Sequence, residues 1–198
     1  MKLLIASSNS GKLREYKALA AGHDVKLALV PGFASLPAFD ESAPTFAENA
    51  AGKALHYSRH AAGAVIAEDS GLVVPALDGA PGVQSARYAG PLATDTDRVK
   101  KLLGEMNDRT GEERRAYFVC ALAMARRGRL LAVLSDRVEG TLLDAPRGDG
   151  GFGYDPIFFY APLGKTFAEL PREQKNLISH RGRAFLKLLR YLETGDIG

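Results

Sequence analysis

The stretch from Arg115 to Val138 constrains the fold most. Arg115 to Ala125 is an apolar run that alternates enough to be a strand, Arg126-Arg127-Gly128-Arg129 reads as a turn, and Leu130 to Val138 pairs back. This predicts an antiparallel hairpin. The chain ahead of it alternates strand and helix instead. Leu3 to Ser7 is a short apolar run, and a helical pattern begins near Gly11 with Leu13, Tyr16 and Ala20 three and four apart. Val25 to Val30 reads as a second strand. Thr45-Phe46-Ala47-Glu48 has the form of a capping box. The helix it opens runs to about Ala62, with Phe46, Ala50, Ala54, Tyr57 and Ala61 as its apolar stripe. Ala64 to Ala67 is then a buried strand with Glu68-Asp69-Ser70-Gly71 at its carboxyl end. Strand–helix alternation followed by a hairpin gives a mixed α/β fold with flanking helices.

Further elements fit the same class. Pro31 to Pro44 reads as loop, Thr94-Asp95-Thr96-Asp97 starts a helix through Leu103, and Ser179 is the N-cap of a last helix burying Phe185, Leu188, Leu189 and Leu192. At 198 residues the chain is expected to form a single domain over 1–198. Its 46 % hydrophobic residues suffice for a sizeable core. A net charge of +3, without a block of like charges, suits an anionic small molecule as well as a nucleic acid. Cys120 is the only cysteine, which excludes a disulfide framework or a cysteine zinc site and reads as a buried thiol. The first apolar run stops at Ser7, too early for a signal peptide, and no run reaches the roughly 18–20 apolar residues of a membrane span. A cytoplasmic protein without membrane association is expected.

Four segments can carry chemistry. Ser7-Ser8-Asn9-Ser10-Gly11-Lys12 lies between a strand and a helix, where small residues and helix-start amides favour an anion and Lys12 adds charge. It is not a Walker A loop, which needs Gly at Ala6 and Ser or Thr at Leu13. The plain alternative is a turn with a polar cap. Glu68 and Asp69 are adjacent acids leaving an apolar strand, and buried carboxylates need a partner or a cation. Neighbouring strand residues face opposite ways, so one acid is expected to act and the other to support it. A single helix-capping Asp is the alternative. Gly150-Gly151-Phe152-Gly153-Tyr154-Asp155 presents two rings for stacking on a base and an acid for its edge, or else is a glycine-rich turn whose rings pack in the core. Lys175-Asn176 and Ser179-His180-Arg181 can pair with a phosphate or a base carbonyl, or simply cap the last helix. Glu41, Asn49 and Lys53 are lesser candidates, the last two sharing one helix face.

Together these segments resemble the family of non-canonical purine nucleoside triphosphate pyrophosphatases, also called inosine triphosphatases. The resemblance is carried by Ala6 to Lys12, Thr45 to Ala50, Asp69-Ser70-Gly71-Leu72, Gly79 to Val83, Ser85 to Gly90, Gly150 to Phe158 and Ser179 to Gly182. It implies a two-lobed α/β fold around a long mixed β-sheet, an active-site cleft between the lobes, and a homodimer. It implies Mg²⁺-dependent hydrolysis of a purine nucleoside triphosphate to monophosphate and pyrophosphate, with dITP, ITP and XTP as substrates and no nucleic acid as partner. By the resemblance, Ser7, Ser8, Asn9, Ser10, Gly11 and Lys12 hold phosphates with help from Lys53. Asp69 is the general base and a metal ligand, Glu41 and Glu68 organise Mg²⁺, and Ser70 contacts substrate. Phe152, Gly153, Tyr154, Asp155, Lys175, His180 and Arg181 hold the nucleoside.

Two departures stand out: Ser7 where the family often has Thr, and Glu68 where bacterial members more often have Asp. Selection of a 6-oxo purine needs a donor, for which Arg181, the backbone near it, or both are expected. The rivals are a pyrophosphatase for modified pyrimidine or methylated nucleotides, which would lack Ser179-His180-Arg181, and a non-catalytic nucleotide- or RNA-binding module. The second would have no use for Glu68 and Asp69 together, because acids repel phosphate unless a metal intervenes.

Overall fold

The computed structural model describes residues 1–195. Seven strands form one mixed sheet in the order β2-β1-β3-β4-β5-β6-β7. The chain divides into two compact units, one of Met1–Asp69, Cys120–Asp136 and His180–Gly198, the other of Ser70–Val119 and Arg137–Ser179.

In the first unit, β1 (Lys2–Ile5) pairs in parallel with β2 (Lys26–Leu29) and with β3 (Ala64–Val73), with Ile5 opposite Leu29 and Ile66. Parallel neighbours need crossovers, and helices α1 (Ser10–Ala20) and α2 (Phe46–Ser58) supply them. Burial on both faces explains why β1 is a continuous apolar run. Leu3, Ile5, Ile66, Cys120 and Leu122 pack with Tyr16 of α1 and with Phe185 and Leu188 of α5 (His180–Thr194). The alternate residues Leu4, Ala6, Val65, Ala67, Ala121 and Ala123 pack with Ala50, Ala54 and Tyr57 of α2. The period of two therefore sends Ile66 to the side of α1 and α5, and Val65 and Ala67 to the side of α2.

Most expected boundaries shift by a few residues. Helix α2 ends at Ser58 rather than near Ala62; the Ser58 hydroxyl donates to the Leu55 carbonyl and accepts from the Gly128 amide. The hairpin is longer than expected, β4 (Arg115–Arg126) and β5 (Arg129–Leu142). Its two-residue turn has positive φ at both Arg127 and Gly128, the twist that suits a tight hairpin. Strand β3 does not stop at Ala67 but continues through Glu68, Asp69, Ser70 and Gly71 to Val73. The acids thus lie within a strand and not in a turn after it.

The second unit holds α3 (Asp95–Glu105), β6 (Phe158–Tyr160), β7 (Lys165–Thr166) and α4 (Arg172–Ile178). β6 runs antiparallel to β5 and to β7. Its core joins Leu72, Val74, Leu102, Met106, Leu142 and Ile157 to an aromatic group in which Phe158 lies 4.6 Å from Phe118 and 4.9 Å from Phe167. Arg114 is buried there with its guanidinium donating to the carbonyls of Met106, Leu142 and Leu143. Gly71 has no room for a side chain: a Cβ would sit 2.3 Å from Ser85 Oγ and 2.6 Å from the Gly82 carbonyl oxygen. Among the described residues no helix is long and apolar enough to cross a membrane.

Candidate active site

The alternation along β3 decides where its acids go. Glu68 follows Ile66 onto the α1 and α5 side, and Asp69 follows Ala67 onto the α2 side. Both are buried, at 4 % and 6 % exposure.

On the first side, Arg181 straddles Glu68, with Nε donating to Oε2 at 2.9 Å and Nη2 to Oε1 at 2.8 Å. Lys12 Nζ lies 2.9 Å from Oε1, and the Tyr16 hydroxyl donates to Oε2. Arg181 Nη1 also donates to Glu15, another buried acid. Burial alone would push the Glu68 carboxyl up, but Arg181 and Lys12 outweigh it and hold it well below the usual range. Burial would lower Arg181, yet Glu68 and Glu15 hold it well above its ordinary value. Burial pushes the Tyr16 hydroxyl up, and the charge of Glu68 adds to this. Cys120 is fully buried beside the pair, and its thiol is likewise pushed up by burial.

On the second side, Asn49 Nδ2 donates to Asp69 Oδ2 at 2.9 Å. The Asn49 amide is locked by Ala43, accepting from its amide at 3.0 Å and donating to its carbonyl at 3.2 Å. One turn along α2, Lys53 pairs with Glu41. Burial raises the Asp69 carboxyl; the Asn49 donation and the charges of Lys12 and Lys53 work against this, while Glu41 adds to it. Asp69 and Glu41 thus lie within each other's electrostatic reach.

The first unit therefore gathers Lys12, Glu41, Lys53, Glu68, Asp69 and Arg181. Ser7 is buried at the end of β1 and accepts from the Asn9 amide at 3.2 Å, while Asn9 caps α1 by accepting from the Lys12 amide at 3.0 Å. Ser8 and Ser10 are exposed, Gly11 is buried, and His180 is buried as the first residue of α5. Glu15 and Tyr16 are additions that the sequence reading missed. In sequence Tyr16 reads as part of the apolar stripe of α1, and the one signal for Glu15 is its position one turn after Lys12.

In the second unit, Asp155 Oδ2 accepts from Lys175 Nζ and, at 2.9 Å, from the Phe152 amide. Lys175 Nζ also lies 5.0 Å from the centre of the Phe152 ring. Both charged residues are buried. Tyr154 is buried too; its hydroxyl donates to the Ser85 carbonyl at 2.9 Å, and burial pushes its pKa up. Of the two rings in this loop, Phe152 is the one left partly exposed. The Gly153 amide donates to Asp95, and Ser70 is partly exposed on β3. Ser85 and Asp95 are polar anchors here, a role that neither the segment Ser85 to Gly90 nor the helix start at Thr94 reveals in sequence.

A family model described as the Ham1 family matches residues 3–191. The chain belongs to the Ham1 family. A relative named dITP/XTP pyrophosphatase from Geobacillus kaustophilus is 49 % identical over 187 residues, covering 94 % of this chain and 92 % of its own. One of the same name from Geobacter sulfurreducens is 46 % identical over 191 residues, 96 % of each chain. Among solved structures, a HAM1 protein from Coxiella burnetii superposes with a TM-score of 0.87 at 38 % identity, covering 98 % of both chains. The Ham1 relatives therefore match the expected mixed α/β fold along almost its whole length.

Proposed function

We propose that this Ham1 protein hydrolyses dITP, ITP and XTP to the monophosphate and pyrophosphate, clearing deaminated purines from the nucleotide pool before they enter DNA or RNA. The observation that carries the reading is the splitting of Glu68 and Asp69 by strand pleat. One acid is neutralised by Arg181 and Lys12, and the other is buried beside a donor, a lysine and a second acid. The names of near-full-length relatives at 49 % and 46 % identity, dITP/XTP pyrophosphatase, support dITP and XTP among these substrates.

The donor set fits Mg²⁺. That ion takes oxygen ligands and is usually held by one or two carboxylates with substrate phosphates and waters, not by an all-protein cage. Among the described residues no group of three His, Cys, Asp or Glu could hold a metal alone. Asp69, which accepts from Asn49, and Glu41, which pairs with Lys53, would supply oxygens to the ion, while both Glu68 oxygens face cations. When bound, the cation neutralises charge on the triphosphate oxygens.

Asp69 acts as the general base, orienting water toward the α-phosphorus and accepting its proton. The amides of Ser7 to Gly11 and the ammonium groups of Lys12 and Lys53 bind phosphate oxygens, and Ser70 adds a hydroxyl. Glu68 serves to anchor Arg181 and to orient Lys12. Phe152 stacks on the base, while Asp155 and Lys175 hold that ring in place. The Arg181 guanidinium is committed to Glu68 and Glu15, so selection of the 6-oxo group falls to backbone near Arg181 and His180. The family resemblance further supports a homodimer, and a cytoplasmic location belongs to the same proposal.

The test is pyrophosphate release from ITP, XTP, dGTP, ATP and dTTP, each with Mg²⁺ and with EDTA. Metal-dependent release mainly from ITP and XTP is expected. Release from dTTP instead would transfer the chain to pyrimidine substrates, and no release from any would leave a binding module.

A further inference from the structure

The loop 150–155 is held at three successive residues. The Phe152 amide donates to Asp155, the Gly153 amide to Asp95 Oδ2 at 2.7 Å, and the Tyr154 hydroxyl to the Ser85 carbonyl. The first anchor is internal to the loop and the third belongs to the core. The second comes from the first residue of α3, 58 positions away in the chain.

Helix α3 does not need Asp95 for its own cap. Thr94 and Asp97 form a complete capping box, each side chain accepting from the other's backbone amide. The Asp95 carboxylate is therefore available for another task, and its second oxygen pairs with Arg98 Nη1. Arg98 is fixed in turn by donating from Nη2 to the Ala93 carbonyl at 2.6 Å. Gly153 sits at φ +65°, in the left-handed region that favours glycine, and its amide meets this pre-set acceptor. The residue before it is Phe152, the partly exposed ring over Lys175.

We infer that Asp95 is a positioning residue for nucleoside binding: by fixing the Gly153 amide it sets how the Phe152 ring is presented to the base. The inference rests on the purine-pyrophosphatase reading. A loop freed at Gly153 must be ordered each time substrate binds, which weakens ground-state and transition-state binding alike. The phosphate end, with Lys12 and Asp69, is untouched. Loss of Asp95 therefore raises KM and leaves kcat nearly unchanged.

The experiment compares Asp95→Ala, Asp95→Asn and Asp97→Ala with the unaltered protein, reading amide hydrogen exchange in 150–155 and the kinetics of ITP hydrolysis. Asp95→Ala should speed exchange and raise KM about tenfold with kcat within about twofold. Asp95→Asn keeps an acceptor oxygen and should restore both. Asp97→Ala breaks the capping box of the same helix, lowers its stability, and should change neither. Unchanged exchange or unchanged KM in Asp95→Ala, or the same KM rise in Asp97→Ala, overturns the inference. If the unaltered protein releases no pyrophosphate from ITP, the functional reading fails; unchanged loop exchange in Asp95→Ala then still overturns the anchor, and faster exchange sustains it.

Discussion

Arg181 and Glu68, 113 positions apart in the chain, form a two-pronged buried pair, with Nε 2.9 Å and Nη2 2.8 Å from separate carboxylate oxygens. Lys12, Tyr16 and Glu15 complete the network. The geometry decides what a single change costs. Replacing one member of a buried pair leaves its partner charged and desolvated, a loss of about 3–5 kcal/mol. Glu68→Gln should lower the unfolding free energy by about that amount in urea titrations at neutral pH. A loss below about 1 kcal/mol would mean that water reaches the network. Arg181→Lys should not be tolerated, because a single ammonium cannot span both oxygens.

The same pair sets an acid limit on stability. Glu68 titrates below the ordinary glutamate range in the folded chain, so the unfolded chain binds its proton first as pH falls. Its contribution is complete above the ordinary glutamate pKa of about 4.3 and is lost as pH drops through the lowered folded value. Asp69, raised mainly by burial, has the opposite sign: its effect favours the fold at low pH and fades as pH rises through its folded value. Urea unfolding from pH 7 to pH 3 should therefore show a steeper acid loss for the unaltered chain than for Glu68→Gln. Parallel slopes would remove Glu68 as the cause.

Catalysis should depend on Asp69 more sharply than stability does. Asp69→Asn keeps the shape and can still face Asn49, but it cannot take a proton, so kcat for ITP should fall by about 10²–10⁴. Circular dichroism and the melting temperature should stay close to those of the unaltered protein. Near-normal turnover would reassign the base.

Much of this was legible in the sequence because the pleat is a rigid rule. Once Ala64–Ala67 is a buried strand, adjacent acids must part to opposite faces, and they do. The capping residues Thr45 and Thr94 marked two helix starts correctly because a cap is a local hydrogen bond. What escaped depends on distant partners. Glu68 and Asp69 look like the end of a strand because charged residues suggest exposure, yet pairing with Arg181, Lys12 and Asn49 keeps the strand going. Strand β7 has two residues and no period to read. Asp95 looks like an ordinary first-turn acid until Gly153 is placed beside it.

Gly71 shows how little slack surrounds Ser70. A methyl group there would lie 2.3 Å from Ser85 Oγ and 2.6 Å from the Gly82 carbonyl oxygen, and Ser85 already holds the Leu72 amide at 2.9 Å. A side-chain oxygen can rotate away, but the backbone carbonyl cannot. Gly71→Ala should cost about 1–3 kcal/mol by overpacking. Because it pushes on β3 next to Ser70, it should also reduce kcat/KM for ITP. A variant with an unchanged melting temperature would show that Ser85 and the Gly82 turn can move.

Asn49 tests the electrostatics of Asp69 most directly. Its amide is fixed by both backbone groups of Ala43, so the donation to Asp69 costs no further ordering. That donation is the largest influence opposing the upward push of burial on Asp69. Asn49→Ala removes it, so the Asp69 carboxyl rises further and less of it is ionised at a given pH. The acid limb of kcat/KM for ITP should therefore move to higher pH, with a loss that is largest at the acid end of the profile and shrinks as pH rises. A loss of equal size at every pH would assign Asn49 to holding Ala43, and through it the segment that carries Glu41, rather than to tuning the base.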